Sequence, residues 1–380
     1  MPDQTDTRIP VTLLTGFLGS GKTTVLNHLI RDPGAGRIAV VMNEFGEAGL
    51  DHDLIEEATE ETVLLASGCV CCSIRGDLAR TLMSLLGRRT RGELAFDRVV
   101  IETTGLADPG PILQTLLVDD TLAAHFRMDG VITTVDCVLA PATLDRQFEA
   151  VSQIAMADLI LLTKTDQVSA SQIEALSRRI DGINPGARRI RADHGKVAPG
   201  KLFALSGLRA DATEAEAIGW VNAAAHSGAP APFVLARPET DPFAGISGLT
   251  LTHDRPLAAA HPHDARIGSA SITVDQPLSD EVFDYWMNAL INLRGKDILR
   301  MKGIVHVQGI DHPFVFHAVQ HVFDPPVAMT HWTGADTTSR VVIIARDIDR
   351  ADLRDCLETL RLRVGEDAGP VRVHRLDDAF

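Results

Sequence analysis

Short apolar runs alternate with helical patterns through the first half of the chain. The apolar runs are mostly β-branched and have the sequences VTLLTG, IAVVMNE, TVLLAS, RVVIET, GVITTVD and DLILLTKTD. Because these runs are continuously apolar, they predict strands of a parallel sheet that is covered on both faces. Helical spacing appears between them in TTVLNHLI, DLARTLMSLLGRR and SQIEALSRRI. This order predicts a doubly wound α/β domain, whose last strand we place at Lys201 to Leu208.

The pattern changes after a segment rich in proline, glycine and alanine that begins at Ala225. Such a composition is typical of a linker. Beyond it, strands are predicted for IGSASITV, ILRMKGIVHV, HPFVFHAVQHVF and SRVVIIARD, and helices for SDEVFDYWMNALINL and a segment from Asp349. We therefore expect a first domain over residues 1–210, a linker over 211–245 and a smaller α+β domain over 246–380.

The charge balance narrows the range of partners. The chain has 36 Lys and Arg against 51 Asp and Glu, a formal net charge of −15. A net acidic chain is a poor general binder of nucleic acid or anionic membranes, so we expect neither as a partner. No apolar run approaches the roughly 20 residues of a membrane helix. The polar start, MPDQTDTRIP, has no apolar signal core, and we expect a cytoplasmic protein.

A glycine-rich segment, GFLGSGKTT, follows the first predicted strand and precedes a predicted helix. It fits the pattern G-x-x-x-x-G-K-[ST], in which backbone N–H groups and a helix N-terminus face phosphate oxygens. The pattern predicts a P-loop NTPase, with Lys22 as a catalytic cation on the β- and γ-phosphates and the Thr23 hydroxyl on Mg²⁺. We assign nucleotide binding to Gly16, Gly19, Ser20, Gly21, Lys22, Thr23 and Thr24.

The strand DLILL ends in TKTD, residues 163–166. Many GTPases carry Asn-Lys-x-Asp here, with the Asp pairing to guanine and the Lys stacking on the ring. Lys164 and Asp166 fit that pattern, whereas Thr163 replaces the Asn. We expect guanine specificity; the structural alternative is an Asp that only caps a helix.

The fourth strand runs into ETTGLADP, residues 102–109. Glu102 lies at the carboxyl end of a buried strand, where α/β proteins bind ligands. It is our candidate for holding Mg²⁺ or orienting water, and an exposed strand-end acid is the alternative. Three residues on, the backbone N–H of Gly105 could contact a γ-phosphate.

Three of the five cysteines, Cys69, Cys71 and Cys72, crowd into GCVCC. The motif follows a predicted strand, which places it at the same edge of the sheet as the P-loop. Thiolates are soft ligands for metals such as Zn²⁺ or Co²⁺, and a structural zinc site would need a fourth protein ligand. An incomplete site suits a metal that is held and released. A buried apolar cluster and a redox thiol pair remain as alternatives.

Taken together, GFLGSGKTT, NEFGE, GCVCC, ETTGLADP and TKTD resemble the CobW family of P-loop GTPases. ILRMKGIVHV and AVQHVFDPP are similar to that family's second domain. The resemblance runs from about Ile9 to about Leu360. It implies GTP hydrolysis coupled to delivery of a transition metal, Zn²⁺ or Co²⁺, to a client metalloprotein.

Carried onto this sequence, the resemblance gives the metal motif Cys69, Cys71 and Cys72, with Glu44 as a further ligand or else a solvated acid. Glu44, Glu47 and Asp51 fall in a region that resembles switch I, and Asp51 joins Thr23 and Glu102 as a candidate for Mg²⁺. The long His-rich loop of cobalt-linked relatives is absent, which weakens an assignment to cobalt. The sequence leaves dimerisation of the chain open.

Several alternatives follow from the same residues. A nucleotide-dependent metal sensor, store or scaffold would bind metal without appreciable turnover, and an ATP-dependent small-molecule kinase would share the P-loop. In the second domain we expect packing or client contact for His306, His317 and His321 rather than metal binding, with His317 and His321 on one strand face. Arg300 and Lys302 either contact phosphate or flank a strand.

Overall fold

A computed structural model describes residues 6–43, 62–67, 74–209, 212–222, 266–323 and 326–361. In these ranges the first domain has a parallel seven-stranded sheet in the order β3-β2-β4-β1-β5-β6-β7. Its strands are β1 (Ile9–Gly16), β2 (Ile38–Asn43), β3 (Thr62–Ser67), β4 (Arg98–Thr103), β5 (Phe126–Asp136), β6 (Leu159–Thr163) and β7 (Arg188–Arg191). Its helices are α1 (Lys22–Arg31), α2 (Ile74–Thr90), α3 (Pro109–Val118), α4 (Asp120–His125), α5 (Ala140–Arg146), α6 (Phe148–Ala155) and α7 (Ala170–Ile183).

Both faces of this sheet are covered by helices. Helix α1 packs on one face through Val25, Leu26 and Leu29. Helices α2, α3, α6 and α7 pack on the other face. Burial on both sides explains why the strands are continuously apolar, and the predicted P-loop NTPase sheet is confirmed.

One predicted strand is wrong. Residues 201–208 form turns and irregular backbone, with Ala204 at φ 55°, instead of a last strand. Leu202, Phe203 and Leu205 are still buried against the α1 side of the sheet, so their apolar character reflects packing rather than pairing. The seventh strand is β7, whose sequence RRIR is largely exposed.

The second domain is a six-stranded antiparallel sheet with two helices. Its elements are β8 (Ile267–Val274), α9 (Asp280–Arg294), β9 (Ile298–Val305), β10 (Phe314–Val319), β11 (Val322–Phe323), β12 (Val327–Ala328), β13 (Ser339–Arg346) and α10 (Arg350–Glu358). The predicted α+β domain is confirmed. A further helix, α8 (Glu214–Val221), lies in the segment predicted as a linker and begins at a capping box of Thr213 and Glu216.

The two faces of the second sheet bury different partners. Met301, Phe316 and Ile343 pack against the domain's own helices together with Trp286 and Leu353. Side chains of the opposite face pack against α8 or join the core of the first domain; they are Ile304, Val315, Val342, Val319 and Ile344. The sheet therefore lies between its own helices and the first domain. Within the described ranges, no helix is both long enough and apolar enough to cross a membrane.

Candidate functional site

The P-loop wraps tightly between β1 and α1. Gly16 and Gly21 have positive φ angles of 141° and 95°, and a Cβ on Gly16 would lie 2.3 Å from Thr134 Oγ1. Lys22 is buried, and its Nζ donates to the carbonyls of Gly16 at 3.0 Å and Phe17 at 3.2 Å. The glycine positions therefore follow from backbone geometry and close packing. The ammonium group of Lys22 therefore lies inside the P-loop, which is the position of the phosphate-binding cation in P-loop NTPases.

The side chains of Ser20 and Thr163 anchor this loop to neighbouring strands. Ser20 Oγ lies 2.6 Å from Thr134 Oγ1 on β5. Thr163 Oγ1 donates to the Ser20 carbonyl at 2.8 Å. Thr163, which departs from the usual Asn, thus ties the end of β6 directly to the P-loop. Gly19 has open space beside it, and Thr24 is exposed on α1.

Glu102 and Thr23 meet at the carboxyl end of β4. Thr23 Oγ1 donates to Glu102 Oε1 at 2.9 Å. Glu102 is only 6 % exposed, so it is not a surface acid at a strand end. A carboxylate and a hydroxyl side by side are hard oxygen ligands, and this donor set fits Mg²⁺ next to phosphate.

The loop between β4 and α3 is seated on the P-loop. A Cβ on Gly105 would lie 2.5 Å from the backbone nitrogen of Leu18, so the two backbones are in direct contact. Gln153, on α6, donates through Nε2 to the carbonyls of Gly105 at 3.2 Å and Ala107 at 3.0 Å. Gln153 is not predicted by the sequence, because no local pattern marks a glutamine inside an apolar helix.

Lys164 and Asp166 lie at the end of β6, one strand beyond β5. Lys164 Nζ donates to Asp136 Oδ2 at 2.6 Å. Asp136 is buried, and it also accepts the backbone N–H groups of Val138 and Leu139. Asp166 is exposed in a short 3-10 turn. Asp136 was missed by the sequence analysis, although it ends a predicted strand in the same way as Glu102.

The predicted metal motif and the switch-like region lie outside the described residues. These positions are Glu44, Glu47, Asp51, Cys69, Cys71 and Cys72. The strands that lead to them are described: Ser67 and Thr103 both pair with Asn43 of the intervening strand β2. The chain therefore leaves β3 level with the end of β4, at a separation of two strand spacings, or about 10 Å.

Among the described residues, no group of three or more His, Cys, Asp or Glu side chains could hold a metal ion. Burial raises the pKa of the Cys137 thiol to about 11, and Asp136 adds to the effect. His306 and His317 are buried, next to Trp332 and Trp220 respectively. His321 is exposed in the turn after β10, so the expectation that it shares a strand face with His317 is wrong.

A buried charge cluster joins the two domains. Asp158, just before β6, accepts from Arg300 Nη2 at 2.6 and 2.7 Å and from Lys302 Nζ at 2.8 Å. It also accepts from Trp220 Nε1 of α8 at 3.0 Å. Arg300 and Lys302 thus lie in strand β9 and bind a carboxylate of the first domain.

The two cations shift the protonation of this cluster. Burial alone would raise the pKa of Asp158, but Arg300 and Lys302 outweigh burial and hold that pKa well below its usual range. Desolvation, together with the charge on Arg300, lowers the pKa of Lys302 to about 8 despite its contact with Asp158. The cluster carries one more positive than negative charge when all three groups are ionised.

The fold and the P-loop site define a nucleotide-hydrolysing P-loop domain joined to an α+β domain. Residues 10–191 match the family model described as the CobW/HypB/UreG nucleotide-binding domain, and residues 267–361 match the cobalamin synthesis protein CobW C-terminal domain. The chain belongs to the CobW family, as its sequence motifs predicted.

Similar proteins support the same class. The chain is 33 % identical to the zinc chaperone YjiA of Escherichia coli, over 93 % of this chain and 99 % of that protein. It is 30 % identical to the zinc chaperone CobW of Pseudomonas aeruginosa, over 94 % of this chain and 93 % of that protein. The crystal structure of Zn(II)-bound YjiA GTPase from E. coli aligns with a TM-score of 0.66 at 29 % identity, covering 93 % of this chain and 99 % of that one. The prediction of a GTPase is confirmed.

Proposed function

We propose that this protein is a GTP-gated metallochaperone that binds a divalent transition metal through Cys69, Cys71 and Cys72 and transfers it to a client metalloprotein. The observation that carries the proposal is that strands β3 and β4 end at the same edge of the sheet, since Ser67 and Thr103 both pair with Asn43. Ser67 is the last described residue before the cysteine motif, and Thr103 follows Glu102, which contacts Thr23. The ends of β3 and β4 are separated by two strand spacings, or about 10 Å, which supports a short path between a γ-phosphate at Glu102 and a metal bound after Ser67.

The nucleotide half of the mechanism rests on the P-loop residues. Lys22 would exchange its two carbonyl contacts for β- and γ-phosphate oxygens, and the N–H groups of residues 16–24 would surround them. Thr23 and Glu102, with Asp51, would hold Mg²⁺, which supplies charge neutralisation for the phosphates. Lys164 and Asp166 would contact the base.

The metal-binding part of the proposal is supported by the three thiols and by the names of similar proteins. The similar proteins named above are zinc chaperones. A relative in Schizosaccharomyces pombe, 38 % identical over 51 % of this chain and 48 % of that protein, is a zinc-regulated GTPase metalloprotein activator. Zn²⁺ is therefore the favoured cargo, with Co²⁺ as the alternative that thiolates also accept. Glu44 would complete the site. GTP-dependent ordering of residues 44–51 would close it, and hydrolysis would open it toward the client.

Cobalt absorption tests the gate directly. Reduced protein titrated with Co²⁺ should develop thiolate-to-cobalt charge-transfer bands, and GTP with Mg²⁺ should raise the apparent affinity about 5- to 150-fold over GDP, the range typical of allosteric coupling. Cys71→Ser should abolish most of that absorption. Cys356→Ser is the matched control, because this half-buried thiol lies in the second domain, away from the nucleotide site.

The alternatives predict different titrations. Bands that are indifferent to nucleotide favour a metal sensor or store without a gate. An unchanged titration in the Cys71→Ser variant contradicts the assignment of the site. Transfer is then tested by adding an apo-metalloprotein and following the loss of the bands on GTP hydrolysis.

Base selection is tested at Asp166. A carboxylate accepts hydrogen bonds from guanine N1 and N2, whereas an amide presents a donor to one of them. Asp166→Asn should lower the preference for GTP over XTP by about 100-fold or more, since each mispaired polar contact costs roughly 1–3 kcal/mol. Competition with a fluorescent GDP analogue measures this preference. Asp193→Asn, at an exposed position, is the control, and equal loss in both variants would contradict the role of Asp166.

A further inference from the structure

Gln153 has an unusual position for a polar side chain. It is 1 % exposed, on the helix α6 that faces the apolar core, and it lines a cavity with Phe17 and Leu18 of the P-loop. Its Nε2 donates to two carbonyls of one loop, those of Gly105 and Ala107. Two carbonyl oxygens can be met only by a donor, which fixes the orientation of the amide. Its Oε1 has no partner in the described part of the chain.

The helix that carries Gln153 is itself held in place. Asn184 Nδ2 donates to the carbonyls of Ile154, Ala155 and Ala157 at 2.9–3.0 Å, around the end of α6. Arg300 of the second domain donates to the carbonyl of Met156. These contacts anchor the C-terminal end of α6, directly after Gln153, so the loop is hydrogen-bonded to a helix that is itself held in place.

The loop that Gln153 holds is the one that contacts the nucleotide site. Glu102 precedes it and touches Thr23, and the backbone of Gly105 rests against Leu18. Fixing the carbonyl of Gly105 also limits rotation of the adjoining peptide, whose N–H is the group assigned to the γ-phosphate. Buried hydrogen bonds of this kind are how enzymes keep reacting groups within a fraction of an ångström.

We propose that Gln153 is a positioning residue for GTP hydrolysis, which holds the loop between Glu102 and Ala107 in register with the γ-phosphate through its side-chain amide. The inference rests on the proposed nucleotide site and deepens it. Gln153 does not contact the nucleotide itself; it acts through the carbonyls of Gly105 and Ala107.

Gln153→Met tests this role, because methionine has similar length and no donor. With GTP and Mg²⁺ and no transition metal, kcat should fall about 10- to 100-fold. The Kd for GDP, which has no γ-phosphate, should stay within about twofold of the wild-type value. Thr133→Val is the matched control: it removes the 2.8 Å bond from Thr133 to the Gln153 carbonyl but leaves the side-chain amide in place. Its kcat should remain near wild type.

A second variant keeps the test informative if Gln153→Met folds poorly. Gln153→Glu places an acceptor opposite two carbonyls at neutral pH, but a protonated carboxyl can donate one hydrogen bond. Its kcat relative to wild type should therefore rise as pH falls from 8 to 6, because burial raises the pKa of the introduced carboxyl.

Three outcomes overturn the inference. The first is a kcat near wild type in Gln153→Met, and the second is a pH-independent kcat ratio in Gln153→Glu. The third is a loss of GDP affinity in parallel with kcat, which would indicate a merely structural role. Failure of the metal proposal is distinguishable, since loss of nucleotide dependence in the cobalt titration of wild-type protein leaves this metal-free comparison unchanged.

Discussion

Asp158→Asn should lower the free energy of unfolding by about 3–5 kcal/mol, the usual cost of removing one partner from a buried ion pair. The substitution keeps the size of the side chain but leaves Arg300 and Lys302 buried without their carboxylate. Urea denaturation followed by circular dichroism measures the loss. Because the cluster joins both domains, the variant should also unfold less cooperatively than wild type, with a broader transition or with two transitions.

Lys302→Met is the matched comparison. It removes the excess positive charge and leaves Arg300 paired with Asp158, so we expect a change within about 1 kcal/mol near neutral pH. The pKa of Lys302 falls from 10.5 to about 8 on folding. The unfolded chain therefore binds more protons between pH 8 and 10.5, and this lysine makes stability rise with pH in that window. The rise should be smaller in Lys302→Met. Equal destabilisation by both substitutions would contradict a central role for the carboxylate.

Lys22→Ala should lower the rate of GTP hydrolysis by about a thousandfold, at the upper end of what loss of one charge-stabilising donor costs. Lys22 is the cation that the P-loop curls around, held by the carbonyls of Gly16 and Phe17. Phosphate release under saturating GTP and Mg²⁺ measures the effect. Lys201→Ala, at an exposed residue of a 3-10 turn, is the control and should retain wild-type turnover. A rate of GTP hydrolysis by Lys22→Ala within tenfold of the wild-type rate would contradict a catalytic role for Lys22.

The sequence predicted those parts of the fold that depend on local pattern. Six continuous apolar runs became strands because helices cover both faces of the sheet. The RRIR strand was missed because an exposed edge strand needs no apolar side chains. The segment from Lys201 was mistaken for a strand because buried side chains on irregular backbone give the same apolar signal. Helix α8 could have been found from its sequence, since TEAE at its start fits a capping box.

The residues of the candidate site likewise fall into those that a local motif predicts and those that depend on long-range contacts. The P-loop, Glu102 and TKTD are contiguous motifs, and the structure brings Glu102 to within hydrogen-bond distance of Thr23. Gln153 and the partners of Asp158 depend on contacts between residues 46 to 144 positions apart. A single sequence carries no signal for such pairs, because each residue by itself is an ordinary polar side chain.

The sheet of the second domain has consequences for how such proteins can be recombined. One of its faces carries Arg300, Lys302 and an apolar surface, which the first domain and α8 cover. A chimera that took its second domain from a distant relative would place these cations opposite a foreign surface. We therefore expect that a functional exchange of domains within this family requires Asp158, Trp220 and strand β9 to come from the same parent protein. These three elements are encoded in separate stretches of the gene.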